Sequence, residues 1–163
     1  MSNQTQRRIL QLSLLAWILL CSFLSAHLLA AVRNWAMVTG TGSRLQDVSL
    51  TDLSKLCKGT QKAWPDGRAF ILVVHHPDSP EMKTVLEKIF GVTQADLKPA
   101  MTKLTDTRSF LKVVDSDEDV IRTVGATPGA VGIMDVYAIN SAVKVLRVDG
   151  KLPFDAGYCL KGN

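Results

Sequence analysis

Short apolar runs alternate along the chain with segments whose polar residues are typical of helix starts. The run at residues 70–74, FILVV, contains no polar residue and is rich in β-branched side chains, as expected for a strand buried on both faces of a sheet. Further strands are predicted at residues 35–38, 111–114, 130–136 and 143–148. Strands that alternate with helices predict an α/β domain, with a mainly parallel or mixed central sheet flanked by helices.

Each predicted helix begins at a capping residue. Ser79 can act as an N-cap, and Pro80 then stands at the first helical position, where its missing N–H is not needed. Glu81 complements the positive end of that helix. The other helix starts have a hydroxyl residue followed three positions later by an aspartate, at the spacing of a capping box: Ser49 with Asp52, Thr93 with Asp96, and Ser116 with Asp119.

The beginning of the chain has a different pattern. Residues 9–32 contain no Asp, Glu, Lys or Arg and are numerous enough to cross a bilayer as a hydrophobic helix. Arg7 and Arg8 precede this run and Arg33 follows it, which predicts a cytoplasmic N-terminus and an exported remainder. A cleaved signal peptide and an uncleaved inner-membrane anchor both fit, and the length of the run favours the anchor. We therefore predict a first unit at residues 1–33 and a periplasmic or extracytoplasmic domain at residues 34–163.

The basic charge of the chain belongs mostly to the predicted export segment. The formal net charge of +4 falls to +1 when Arg7, Arg8 and Arg33 are set aside. The remaining residues contain no basic stripe with interleaved aromatic residues, so a nucleic-acid partner is not expected.

Two cysteines lie in the predicted exported domain. Cys57 and Cys159 form the only pair outside the apolar run, and an oxidising compartment would permit a disulfide between them. Two separate buried thiols are the alternative.

The polar residues after the central strand are the candidate binding residues. His75 and His76 are adjacent at a strand end and should point to opposite faces, so a single ligand would contact only one of them. We select His76, together with Ser79, as an anion site at the start of the following helix, where backbone N–H groups attract anions.

Metal binding and catalysis have less support in the sequence. His76, Asp78 and Glu81 could in principle bind a metal, but the chain has no third histidine or ligand-spaced cysteine outside the apolar run to complete such a site. No nucleophile elbow, zinc-protease motif or close carboxylate pair is present. We expect neither a metal, nor a cofactor, nor enzymatic activity.

Several of these segments together resemble one protein family. Residues 48–146 are similar to the phosphate-binding type of periplasmic substrate-binding protein, in particular to its short, single-lobe members. The matching segments are residues 49–59, WPDG at 64–67, VVHHPDSPEMKTVLEKIFGVTQADLK at 73–98, VVDSDEDVIRTV at 113–124, and TPGAVG at 127–132.

The resemblance implies a solute-binding lobe of an ABC transporter. In the family, an oxyanion is held at a helix N-terminus by backbone N–H groups, a hydroxyl and a basic side chain, and the matching positions here are His76, Ser79, Pro80 and Glu81. His76 stands in place of an arginine, and Pro80 stands in place of a glycine and removes one donor. The implied partners are a phosphate-like anion and an ABC permease or other envelope protein. The alternative is an envelope interaction module derived from the same lobe that has lost its small ligand.

Overall fold

The computed structural model describes residues 33–96, 99–100 and 109–162. The apolar run at residues 9–32 lies outside this part of the chain, so the predicted boundary between residues 33 and 34 stays a prediction. Within the described ranges, no helix combines the length and the apolar character that a membrane crossing needs.

A five-stranded sheet forms the centre of the described domain. Its strands are β1 (Trp35–Gly40), β3 (Ile71–His75), β4 (Leu111–Val114), β5 (Ala130–Asp135) and β6 (Val143–Val145), in the spatial order β4-β3-β5-β1-β6. Strand β3 pairs in parallel with β4 and β5, whereas β1 pairs antiparallel with β5 and β6. The predicted fold class, a mainly parallel or mixed sheet flanked by helices, is therefore confirmed.

Three of the predicted caps begin the three main helices. These are α1 (Leu50–Lys58), α2 (Pro80–Val85), which continues as a π-helical turn at Leu86–Phe90, and α3 (Asp117–Ala126). The hydroxyl oxygens of Ser49, Ser79 and Ser116 each accept a hydrogen bond from the backbone N–H three residues later, at 3.0 to 3.2 Å. The helix predicted after Thr93 begins as a 3-10 turn at Gln94–Asp96, and most of its remainder lies outside the described residues.

The sheet has a hydrophobic core on each face, which explains why β3 contains no polar alternation. Leu72 and Val74 pack with α1, α2 and the π-helical turn on one face. Val73 packs on the other face against Val120 and Val124 of α3. Because both faces of β3 are covered, its side chains are buried from Leu72 to His75.

The predicted last strand is divided in the structure. Its first part is β6, and its second part, β7 (Arg147–Val148), pairs in parallel with β2 (Asp47–Val48) outside the main sheet. The division occurs at the buried residue Leu146, whose N–H bonds the Met37 carbonyl, whereas the N–H of Arg147 bonds the Gln46 carbonyl. The chain therefore changes partners, which a continuous apolar run does not reveal.

Cys57 and Cys159 are two separate thiols in the structure, and no disulfide joins them. Cys57 is a fully buried core residue of α1, and Cys159 is half-buried. Burial raises the pKa of the Cys159 thiol.

Candidate functional site

The candidate site lies at the carboxyl edge of the parallel strands, which is where ligands bind in open α/β sheets. His75 is the last residue of β3, and α2 begins after a short turn in which the Ser79 N–H bonds the His76 carbonyl at 2.9 Å. Helix α3 begins at the same edge, directly after β4. The starts of two helices and the end of β3 therefore meet there.

Most N–H groups in the first turn of α2 are hydrogen-bonded to Ser79, the residue that caps the helix. The Met82 N–H donates to the Ser79 hydroxyl at 3.2 Å, and the Lys83 N–H donates to the Ser79 carbonyl at 3.3 Å. Pro80 has no N–H to offer. The N–H of Glu81 is therefore the remaining donor of this turn.

The Glu81 side chain folds back over this turn. Glu81 as a whole is 9% exposed, and its Oε1 lies 3.3 Å from Nδ1 of His75. Burial alone would raise the pKa of Glu81, but the contact with His75, the N–H of Glu81 itself and the Ser79 hydroxyl together hold that pKa below its usual value. The chain thus places a buried, ionised carboxylate at the start of α2.

His75 lies between two carboxylates. Its Nδ1 faces Glu81, and its Nε2 lies 3.3 Å from Oδ1 of Asp117, the first residue of α3. The contact with Glu81 raises the pKa of His75 against the opposing effect of burial, and the charge of Asp117 and the Ser116 carbonyl raise it further. His75 is only 8% exposed, so the imidazole and its two carboxylate contacts lie inside the protein.

Asp117 completes a cluster of three charged side chains. Burial is the main reason that its pKa is raised, and His75 and the N–H of Asp135, at 3.3 Å, oppose the rise. We call His75, Glu81 and Asp117 the charged triad. It joins β3 to the first turns of α2 and α3, and the Asp135 N–H ties it to the end of β5.

His76, the basic residue selected from the sequence, lies at the surface. Its side chain is 65% exposed, and its Nδ1 lies 3.7 Å from the carboxylate of Asp78, which is 91% exposed. The expectation that His75 and His76 face opposite ways agrees with their burial. The sequence analysis selected the exposed member of the pair, and it did not single out Asp117. Asp117 meets His75 because β3 and β4 are parallel neighbours, and residues that follow such strands lie at the same edge of the sheet.

The charged triad is not arranged to hold a metal ion. The two ring nitrogens of His75 point in opposite directions, so Glu81 and Asp117 cannot bind one ion together with a single His75 nitrogen. In the ranges that the structure covers, no group of three or more His, Cys, Asp or Glu residues could do so either.

No family model matches the sequence, and none of the curated proteins is similar to it. Solved structures are similar in fold. An ABC-type phosphate transport receptor from Vibrio cholerae is 17% identical, with a TM-score of 0.65 over 81% of this chain and 55% of its own. PstS from Borrelia burgdorferi is 19% identical, with a TM-score of 0.63 over 82% of this chain and 56% of its own.

A phosphate-binding protein from Stenotrophomonas maltophilia is 20% identical, with a TM-score of 0.54 over 75% of this chain and 40% of its own. This chain therefore spans about half the length of the proteins that it matches. At these identities the likeness is one of fold: the described domain is folded like a lobe of a periplasmic substrate-binding protein.

Proposed function

We propose that this protein is an extracytoplasmic solute-binding protein that holds a small, phosphate-like oxyanion at the connection between β3 and α2. The observation that carries the proposal is the buried imidazole of His75, which lies between the carboxylates of Glu81 and Asp117 directly behind the first turn of a capped helix, at the ligand-binding edge of the sheet. The fold supports a solute-binding role, because similar structures include an ABC-type phosphate transport receptor and a phosphate-binding protein.

The proposed roles follow from the position of each residue. His76 is exposed at the rim and can offer an N–H to an anion, and the Ser79 hydroxyl lies one turn from it at the helix start. Pro80 begins the helix without an N–H to donate, and Glu81 contributes its backbone N–H, the remaining donor of this turn. No cofactor is needed for such binding.

The proposed location and partners rest on the N-terminal pattern. Arg7 and Arg8 followed by the apolar residues 9–32 would direct the domain across the inner membrane and could anchor it there. A solute-binding lobe in that position would deliver its anion to an ABC permease or to another envelope protein.

Calorimetric titration tests the proposal. The full chain, kept soluble in a mild non-ionic detergent, would be titrated with sulfate and phosphate at about pH 6 and about pH 7.5, the interval over which histidines change charge. We expect sulfate to bind more tightly at the lower pH, because sulfate keeps its own charge while the lower pH favours the protonated form of His75. Absence of heat for both anions at both pH values, in a chain that circular dichroism shows to be folded, would contradict the oxyanion site and favour the interaction module.

A further inference from the structure

We propose that the Glu81 carboxylate occupies the anion position of the site, and that a bound oxyanion displaces it and takes its place against His75. This inference rests on the proposed function and names the residue that regulates the same site. It also assigns the positive charge that faces the ligand to the buried His75 rather than to the exposed His76.

The burial of Glu81 is the first argument. Glu81 is about nine-tenths buried, and its Oε2 has no hydrogen-bond partner in the described part of the chain. A buried carboxylate oxygen without a donor is costly, and such atoms in folded proteins call for an explanation. The explanation that we propose is that Oε2 occupies the position of a ligand oxygen.

The groups around Glu81 are the second argument, because they are those that an oxyanion requires. They are Nδ1 of His75, which lies 3.3 Å from Oε1 and makes no hydrogen bond of its own, the N–H of Glu81 and the Ser79 hydroxyl, and each of the three lowers the pKa of the Glu81 carboxylate. N–H and O–H donors that stabilise a carboxylate can stabilise sulfate or phosphate in the same way. Ligand and side chain would therefore compete for one set of donors.

The displaced side chain has a route to water. Pro80 and Asp78, which flank the start of α2, are exposed, and Ser79 is partly exposed. A rotation of the Glu81 side chain toward this surface would hydrate its carboxylate, so that Glu81 no longer places a buried negative charge beside the bound anion.

Asp117 stabilises the charged form of His75 during the proposed exchange. It contacts Nε2, the side of the ring away from Glu81, and therefore still stabilises the charged imidazole after Glu81 has left. The other groups that face the triad are the Ser116 carbonyl, the Ser79 hydroxyl, and the charge and backbone N–H of Asp135. Among the described residues, no lysine or arginine forms an ion pair with the triad. Asp117 is thus a positioning residue that acts through His75.

The exchange predicts which anions can bind. A monocarboxylate such as acetate brings the same charge as the side chain that it must displace, and it also loses translational freedom on binding. A dianion such as sulfate brings twice the charge to His75. The site should therefore favour divalent oxyanions over monocarboxylates.

The test compares sulfate binding by the full chain in detergent with binding by two variants. Glu81→Gln removes the negative charge that holds the side chain against His75 and so increases the fraction of molecules whose site is open, and we therefore expect it to tighten sulfate binding by roughly tenfold. Asp78→Asn is the matched control, because it removes a charge from the same turn at a position exposed to solvent, and we expect a change of less than about twofold.

Two further measurements separate the exchange from a general charge effect. In the absence of ligand, the NMR titration midpoint of the His75 ring should fall in Glu81→Gln. Asp117→Asn should weaken sulfate binding more at about pH 7.5 than at about pH 6, because the lower pH favours the charged imidazole when one of its carboxylate partners is absent.

The outcomes that contradict the two proposals differ. If the wild type binds sulfate and Glu81→Gln binds it no more tightly than Asp78→Asn does, the exchange is wrong and the oxyanion site remains. An unchanged His75 midpoint in Glu81→Gln also overturns the exchange. If neither the wild type nor Glu81→Gln binds sulfate or phosphate although both are folded, the proposed function itself fails.

Discussion

His75 and Glu81 form a buried ion pair in which Nδ1 of the histidine lies 3.3 Å from Oε1 of the glutamate. The pair connects the end of β3 to the first turn of α2, and both residues are at most 9% exposed. Because Asp117 contacts the opposite side of the same ring, one histidine charge balances parts of two carboxylates. This dependence on one side chain makes His75 the most sensitive position of the site.

Replacing His75 should destabilise the fold. His75→Gln keeps much of the side-chain volume but cannot carry the positive charge, and it leaves Glu81 and Asp117 without their counter-charge. Breaking a buried ion pair from one side is costly, and we expect a loss of about 2 kcal/mol or more in the free energy of unfolding, measured by urea denaturation.

His76→Gln is the matched control for that measurement. The His76 side chain is 65% exposed, and a surface change of this kind should alter the free energy of unfolding by about 0.5 kcal/mol or less. Equal losses for the two variants would show that the His75 contacts contribute no special stability.

The stability of the protein should fall as the solution becomes alkaline. The pKa of His75 is raised in the folded state, so the folded protein holds this proton more tightly than the unfolded chain does. The resulting stabilisation is fully present below the unfolded-state pKa of about 6.5, and it is lost as the pH rises through the higher folded-state value. Urea denaturation across this interval should show the decline in the wild type and a flatter profile in His75→Gln.

Glu81 should act at the acidic end of the same profile. Its pKa is lowered in the folded state, so its stabilisation is present above the usual glutamate value of 4.5 and is lost as the pH falls through the folded-state value. Glu81→Gln should reduce this acid-side loss. A profile below pH 4.5 that is identical in wild type and Glu81→Gln would mean that the His75 contact does not hold the carboxylate ionised.

The fold could be predicted well from the sequence because its signals are local. The apolar run that became β3 and the serine caps at Ser49, Ser79 and Ser116 each depend on neighbouring residues, and each occurs in the structure close to its predicted position. The point at Leu146 where the chain leaves the main sheet depends instead on hydrogen bonds to Met37 and Gln46, which are distant in sequence. Apolar patterning contains no information about such pairing.

The site could be predicted only in part, for the same physical reason. The turn between β3 and α2 was located correctly, because Ser79 and Pro80 are strong local signals for a helix start. The choice between His75 and His76 depended on what lies behind β3, and that includes Asp117 from a different helix. The sheet order that brings Asp117 to His75 was not available from the sequence.

The N-terminal prediction can be checked by intact mass. If residues 9–32 are retained as a membrane anchor, the protein extracted from the membrane fraction should have the mass of the complete 163-residue chain, 17.8 kDa. A species that lacks the residues up to about position 33 and is released without detergent would show a cleaved signal peptide instead. Measuring the mass with and without a reductant and a thiol label would also report whether Cys57 and Cys159 pair.

Two glycines near α3 should respond to alanine with opposite signs. At Gly132 in β5, an added Cβ would lie 2.4 Å from Cγ1 of Val120 in α3, a distance that real contacts do not reach. Helix and sheet would have to separate, and overpacking of this kind costs about 1–3 kcal/mol. At Gly125 in α3, an added Cβ meets no atom within 4 Å, so Gly125→Ala should gain up to about 1 kcal/mol from helix propensity. Urea denaturation of both variants measures the two effects, and a Gly132→Ala protein as stable as the wild type would mean that α3 lies farther from β5 than the structure has it.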